Sequence, residues 1–246
     1  MLQAIQIFGV KIHRVTMDQA VDAVTGFLHE GGPHQVITAD SSMLVMARRD
    51  EELRRTINDA ALVTPDSFGV TWAARRLGRP LPERVTGVDL AERLCRRCAS
   101  AGRRVFFLGA APGVAEEAAA RMAGRYPGLH VVGTRHGFFR AEEEEGIVAE
   151  IAASGAELLL VALGIPRQEK WIARHLSRLG VSAAIGVGGT LDVFSGRVAR
   201  APAWAQRGNV EWLYRLARNP RKIQKVKTLP VLVWMTLAAM ARSDGG

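Results

Sequence analysis

Short, continuous apolar runs alternate with amphipathic stretches along most of this chain, and that alternation limits its possible folds more than any other feature. Runs at residues 4–8, 34–38, 62–64, 104–108, 129–133, 158–163 and 183–187 read as strands, LLLVAL at 158–163 being the plainest. A strand without polar alternation is buried on both faces, the condition of a parallel sheet sandwiched between helices. Between the runs, residues 17–30, 89–101, 114–125, 142–154 and 167–179 carry helical spacing. The first of these helices starts behind Thr16, a good capping residue, and stops at Gly31 and Gly32. Acids favour the start of a helix dipole, so Glu142, Glu143, Glu144 and Glu145 read as a solvated helix opening. The expectation is an α/β, Rossmann-like fold, a mostly parallel sheet with helices on both faces.

With 246 residues and 48% apolar composition, the chain can bury one large α/β core with an appendage. The appendage is legible from charge. The formal net charge is +9, yet residues 200–227 hold eight Lys/Arg against the single acid Glu211. A catalytic domain at 1–199 and a basic helical appendage at 200–246 follow. Within the appendage, Pro202, Pro220 and Pro230 suit first helical turns, and Arg215, Arg218, Lys222 and Lys225 share a helical face. Such a segment seeks anionic lipid or nucleic acid. It is followed by LPVLVWMTLAAM rather than interleaved with base-stacking aromatics, which favours lipid over nucleic acid. Twelve helical residues cover roughly 18 Å, too short for about 30 Å of hydrocarbon, so this helix would lie in the headgroup region. The alternative is a helix docked on the domain's own core or on another copy of the chain, which would make a homo-oligomer. The opening MLQAIQIFGVKIHRV has no basic-then-apolar leader pattern, so export is not expected.

Cys95 and Cys98 form C-x-x-C, but inside a helical run without the strand that a redox motif needs. No second cysteine pair and no spaced histidine pair completes a zinc site. Both cysteines read as small packed residues in a reducing compartment.

Ligands of open parallel sheets bind beyond the carboxyl ends of the strands. The residues there form a polar set: Thr38, Asp40 and Ser41; Asp66 and Gly69 in TPDSFG; Arg84 and Gly87 in ERVTG. Gly109 and Gly113 in GAAPG permit a tight turn into a helix, a candidate phosphate or ribose cradle. Arg167, Gln168 and Glu169 stand at the mouth of the helix begun by Pro166, and Gly188 and Asp192 lie in GVGGTLD. Each has a plainer reading: Asp66 and Asp89 as helix caps, Asp192 as a turn closer, Arg84 as an ion-pair residue, Trp171 as core.

The blocks TADSSMLVMARRD, TPDSFGVTWAARRLGRPLPERVTGVDL, GIPRQEKWIARH and GVGGTLDVFSGRVARAPAWAQRGNVEWLYRL resemble the WecG/TagA/CpsF glycosyltransferases, in order and at matching separations. The resemblance implies a bacterial enzyme that moves a sugar from a UDP donor to a polyprenyl-diphosphate-linked acceptor, peripherally on the inner membrane face. Donors in such a family include UDP-N-acetylmannosamine and its uronic acid, with glucosyl or glucuronosyl transfer in some members. Carried over residue by residue, Thr38 and Asp66 match the active-site threonine and aspartate, Asp66 as base. Arg84, Gln168 and Asp192 match polar pocket positions, and the tail arginines, Arg215 foremost with Arg218 and Arg221, match residues that reach over the diphosphate. Asp40 stands where the family usually has Asn, and Asp66-Ser67 where it usually has Asp-Gly.

An inverting transfer needs a base for the acceptor hydroxyl and charge stabilisation for the leaving UDP. The chain contains no Asp-x-Asp of the kind that holds a metal in many nucleotide-sugar enzymes, so arginines and glycine-turn amides are expected to act instead, without metal or other cofactor. Two alternatives come from other classes. A nicotinamide-dependent oxidoreductase lacks its G-x-G-x-x-G after a first strand, and a non-catalytic basic binding module leaves the strand-end residues unused.

Overall fold

A computed structural model of the protein describes residues 2–202 and 228–243. Its centre is a six-stranded, all-parallel sheet in the order β4-β3-β8-β7-β5-β6. The strands are β3 (His34–Ala39), β4 (Leu62–Pro65), β5 (Arg104–Gly109), β6 (His130–Arg135), β7 (Leu158–Ala162) and β8 (Ala183–Gly186). The strand period of two divides each between two faces. Val36, Val105, Phe107, Leu158, Leu160 and Ile185 pack beneath α1 (Met17–Glu30), α5 (Gly87–Ala101), α6 (Val114–Arg125) and α9 (Thr190–Phe194). Their neighbours Ile37, Phe106, Leu108, Leu159, Val161 and Ala184 face the opposite way. There they meet α2 (Ser41–Met46), α3 (Glu51–Asp59), α4 (Phe68–Arg76), α7 (Glu144–Ser154) and α8 (Arg167–His175).

Thr16 caps α1 in a capping box with Gln19, and Gly31 at φ 72° ends it. Cys95 and Cys98 are buried in α5, and burial pushes the Cys98 thiol up to about 12, so neither is poised to react. The glutamate run opens the helix largely in solvent, as expected, Glu144 being the most covered of the four. After a 3-10 turn at Ala141–Glu143, Glu144 meets His175 at 3.1 Å and Glu145 pairs with Arg178.

The first apolar run does not join the main sheet. β1 (Ala4–Ile7) pairs antiparallel with β2 (Val10–His13), a strand that the charged Lys11 conceals in the sequence. Phe8 and Gly9 both take positive φ, 52° and 79°, the requirement of a tight hairpin turn. The hairpin covers the edge of β4, where the Val63 N–H donates to His13 Nδ1 at 3.0 Å. Only a neutral imidazole can accept there. Burial, then the Lys11 charge, holds the His13 pKa below the ordinary 6.5. The unfolded chain therefore binds the extra proton first, and this contribution, complete above pH 6.5, is lost as pH falls below it. Melting temperature should drop between pH 7 and pH 5, and His13→Asn, which keeps an acceptor that does not titrate, should flatten that slope. Parallel melting curves for the two proteins would contradict it.

Helix α10 (Thr228–Ser243) packs on α2 and α4. Leu232 is fully buried in their cluster and Thr236 Oγ1 donates to Leu232 O at 2.8 Å. Burying one leucine contributes about 2 kcal/mol. The docked alternative thus holds for one side of this helix. On the other side Val231, Trp234 and Leu237 stay 40%, 63% and 54% exposed. Among the described residues, no helix is long and apolar enough to cross a membrane.

Candidate active site

Because all six strands are parallel, their carboxyl ends form one row, with Asp66 after β4 at one side and Gly109 in β5 four strand spacings away, roughly 19 Å. The turns that leave these ends build the site.

At the β4 end, residues 84–87 run on beside the strand. Val85 N donates to Pro65 O at 2.8 Å, and Gly87 N donates to Asp66 Oδ1 at 2.7 Å. Asp66 N in turn donates to Ala39 O of β3 at 2.9 Å. Asp66 is therefore held at two points, its carboxylate by the Gly87 N–H and its own backbone by β3, and Arg84 enters on the same short segment as Gly87. Asp66 is not a helix cap: Ser67 caps α4, and its Oγ also meets Ser41 Oγ at 2.9 Å, tying together the turns after β3 and β4. Thr38 is 6% exposed and donates from Oγ1 to Gly186 O of β8 at 2.9 Å. A side chain on Gly87 would stand 3.2 Å from that hydroxyl, so glycine lets the start of α5 come down onto Thr38. Thr38, Asp66, Gly87 and the Arg84 segment form one cluster.

Asp40 has a local task, since its side chain caps α2 by accepting from Met43 N at 3.0 Å. The Asn usual in the family the chain resembles caps equally well. Gln168 is 1% exposed, and its Oε1 accepts from Gly164 N and Gly188 N, each at 3.1 Å. It thereby clasps the turns after β7 and β8. Gly188 takes φ 54°, and a Cβ there would meet no atom within 4 Å. Asp192 lies in the first turn of α9, and its carbonyl receives Val198 N at 3.0 Å, closing the turn at its end. Gly109, at φ 128°, lies against the Ala162 main chain where β5 and β7 diverge into crossovers of opposite direction, a switch point that favours ligands. Ala110 beside it adopts φ 59°, an uncommon left-handed alanine.

Arg167 reaches to the turn after β6, beside Gly109: its guanidinium lies 4.5 Å from the Phe139 ring centre and donates to Gly137 O at 3.1 Å. Trp171, fully buried against Phe139 and His175, is core. Sequence reasoning overlooked Arg200, which pairs with Asp89 in the first turn of α5 and approaches Glu92 at 3.7 Å. Arg215, Arg218 and Arg221 lie outside the described residues. Of the described residues on either side, Arg200 contacts α5, and Thr228 Oγ1 meets Ser42 Oγ of α2 at 3.3 Å. Among the described residues, no three His, Cys, Asp or Glu converge as a metal site.

Residues 5–245 match the sequence profile described as Glycosyl transferase WecG/TagA/CpsF family. An N-acetylglucosaminyldiphosphoundecaprenol N-acetyl-beta-D-mannosaminyltransferase of Bacillus spizizenii is 32% identical over 213 residues, 87% of this chain and 82% of that protein. A Staphylococcus aureus protein of the same name is 30% identical over 232 residues, 94% of this chain and 91% of its own length.

Proposed function

Because the chain belongs to the WecG/TagA/CpsF family of glycosyl transferases, we propose that it transfers N-acetylmannosamine from UDP to a polyprenyl-diphosphate-linked N-acetylglucosamine, with inversion and without a metal. The names of the two relatives supply the sugar, its β configuration and the acceptor. The observation that carries the mechanism is the carboxylate of Asp66, fixed by Gly87 N beside the hydroxyl of Thr38.

In this reading the donor lies along the strand ends, its nucleoside towards Gly109 and its sugar towards Asp66. The acceptor hydroxyl loses its proton to Asp66 while its oxygen bonds to C1. The bond from C1 to the phosphate oxygen breaks on the opposite face, so an α-linked donor yields a β product. Negative charge then collects on UDP. Arg84, the amides of the turns after β7 and β8 other than those of Gly164 and Gly188, and the arginines at 215, 218 and 221 supply the compensating positive charge. On either side of residues 203–227, Arg200 and Thr228 contact helices that start at this row, which supports a covering role for the basic segment. Val231, Trp234 and Leu237, three residues apart on α10, suit contact with the surface of an anionic membrane, where the acceptor resides. A glycosyl transfer uses no nicotinamide, so that alternative falls away.

The test is UDP release from a panel of UDP-sugars with an N-acetylglucosaminyl polyprenyl diphosphate acceptor. UDP-N-acetylmannosamine should be the best donor, and EDTA should leave its turnover unchanged. Activity abolished by EDTA and restored by a divalent ion would refute the metal-free step; release from another sugar alone would refute the donor.

A further inference from the structure

Among the described residues, Glu169 is the one acid whose side chain is shut away completely, at 0% exposure, beside Gln168 at 1%. A carboxylate so placed needs strong hydrogen bonds, and its neighbours show what it holds. The two N–H groups of Gly164 and Gly188 converge on one end of the Gln168 amide, so that end must be the carbonyl oxygen. A planar amide then directs its NH2 the other way, and Nε2 donates to Glu169 Oε1 at 2.7 Å. Gly186 makes room for both: a Cβ there would stand 2.7 Å from Gln168 Nε2 and 3.0 Å from Glu169 Oε1. The Gly186 carbonyl is also the acceptor of the Thr38 hydroxyl, and Gln35 Nε2 of β3 donates to the Glu169 carbonyl at 2.9 Å. Three neighbouring strands thus meet at this pair.

We infer that Glu169 is a positioning residue, whose carboxylate sets the direction of the Gln168 amide and so holds the Gly164 and Gly188 turns at the spacing that receives the donor diphosphate. It touches no reacting atom and acts through Gln168. Reversing the amide would set NH2 against two N–H donors and its oxygen against a carboxylate, so the two restraints reinforce each other. The inference rests on the proposed UDP donor.

A polarity swap tests it. Gln168→Glu alone faces two carboxylates across the 2.7 Å contact. In the double variant Q168E/E169Q the new amide donates to the new carboxylate, which still accepts from both glycines. UDP affinity, donor KM, kcat and melting temperature are measured for wild type, Q168E, E169Q and the double variant. Q168E should weaken UDP binding about tenfold in the wild-type background and less than about threefold in the E169Q background, with donor KM moving more than kcat. Equal losses in both backgrounds, or lowered melting temperature with unchanged UDP affinity, would overturn the inference. If Q168E does not fold, the double variant decides: UDP affinity within about threefold of wild type supports the inference, and a loss of about tenfold or more overturns it. Folded wild-type protein that binds no UDP removes the donor reading and this inference with it. Wild type that binds UDP no better than Q168E removes the inference alone.

Discussion

Asp66→Asn is expected to cut kcat by about 10²–10⁴ while leaving the affinity for UDP within about threefold. The size of the loss follows from what the replacement keeps. An asparagine oxygen still accepts the Gly87 N–H that now reaches Asp66 Oδ1 at 2.7 Å, so the turn into α5 and its contact with Thr38 stay in place. What disappears is a group able to take the acceptor's proton. Asp66→Ala should behave differently: it forfeits the anchor as well, and should lower melting temperature along with turnover. Steady-state kinetics with UDP calorimetry on both variants separates the roles. Turnover by Asp66→Asn within about twofold of wild type would remove Asp66 as base, whatever the alanine variant does.

The sheet could be read from the chain because buried parallel strands carry their own signature. The six apolar runs from residue 34 onward are the six strands, within about two residues at each end. Four of the five expected helices end where predicted; the one at 142–154 is opened by a 3-10 turn at Ala141–Glu143, and the one at 167–179 stops at His175 and gives way to a 3-10 turn at Leu176–Arg178. The helices that escaped notice, α2, α3, α4 and α9, have nine residues or fewer, too few for a period of 3.6 to stand out. The site divides in the same way. Thr38, Asp66, Gly109 and Gly188 were legible because topology alone sends strand ends to one row. The bonds that define the site were not, since they join turns far apart in sequence: Asp66 to Gly87, Thr38 to Gly186, Gln168 to Gly188. Glu169 shows the limit. The sequence places it with Arg167 and Gln168 at the mouth of a helix, but only the packing of β8 against α8 shows that it is shut in.

The largest stability effect should come from Gly109→Ala. A Cβ at this position would lie 2.5 Å from the Ala162 carbonyl carbon and 2.7 Å from its Cα, and these are main-chain atoms of the adjoining central strand. Nothing flexible can give way. β5 and β7 must part at the end where Ala110 N donates to Ala162 O at 2.9 Å, and Gly137, whose own Cβ would press on Gly109 Cα at 3.1 Å, blocks movement from the other side. The φ of 128° adds backbone strain to the overlap. Together these cost about 3–5 kcal/mol, a large part of the stability of an ordinary domain, and should lower melting temperature by roughly 10 °C. Gly188→Ala is the control that separates the two causes. Its φ of 54° is also positive, but no atom lies within 4 Å of the added methyl, so only the left-handed backbone preference is lost. That costs about 1 kcal/mol, or roughly 3 °C for a chain of this size. Calorimetric melting of the two variants should therefore differ about threefold in effect. If Gly109→Ala melted no lower than Gly188→Ala, the close approach of β5 to β7 would be wrong, and with it the place where the nucleoside end of the donor is proposed to rest.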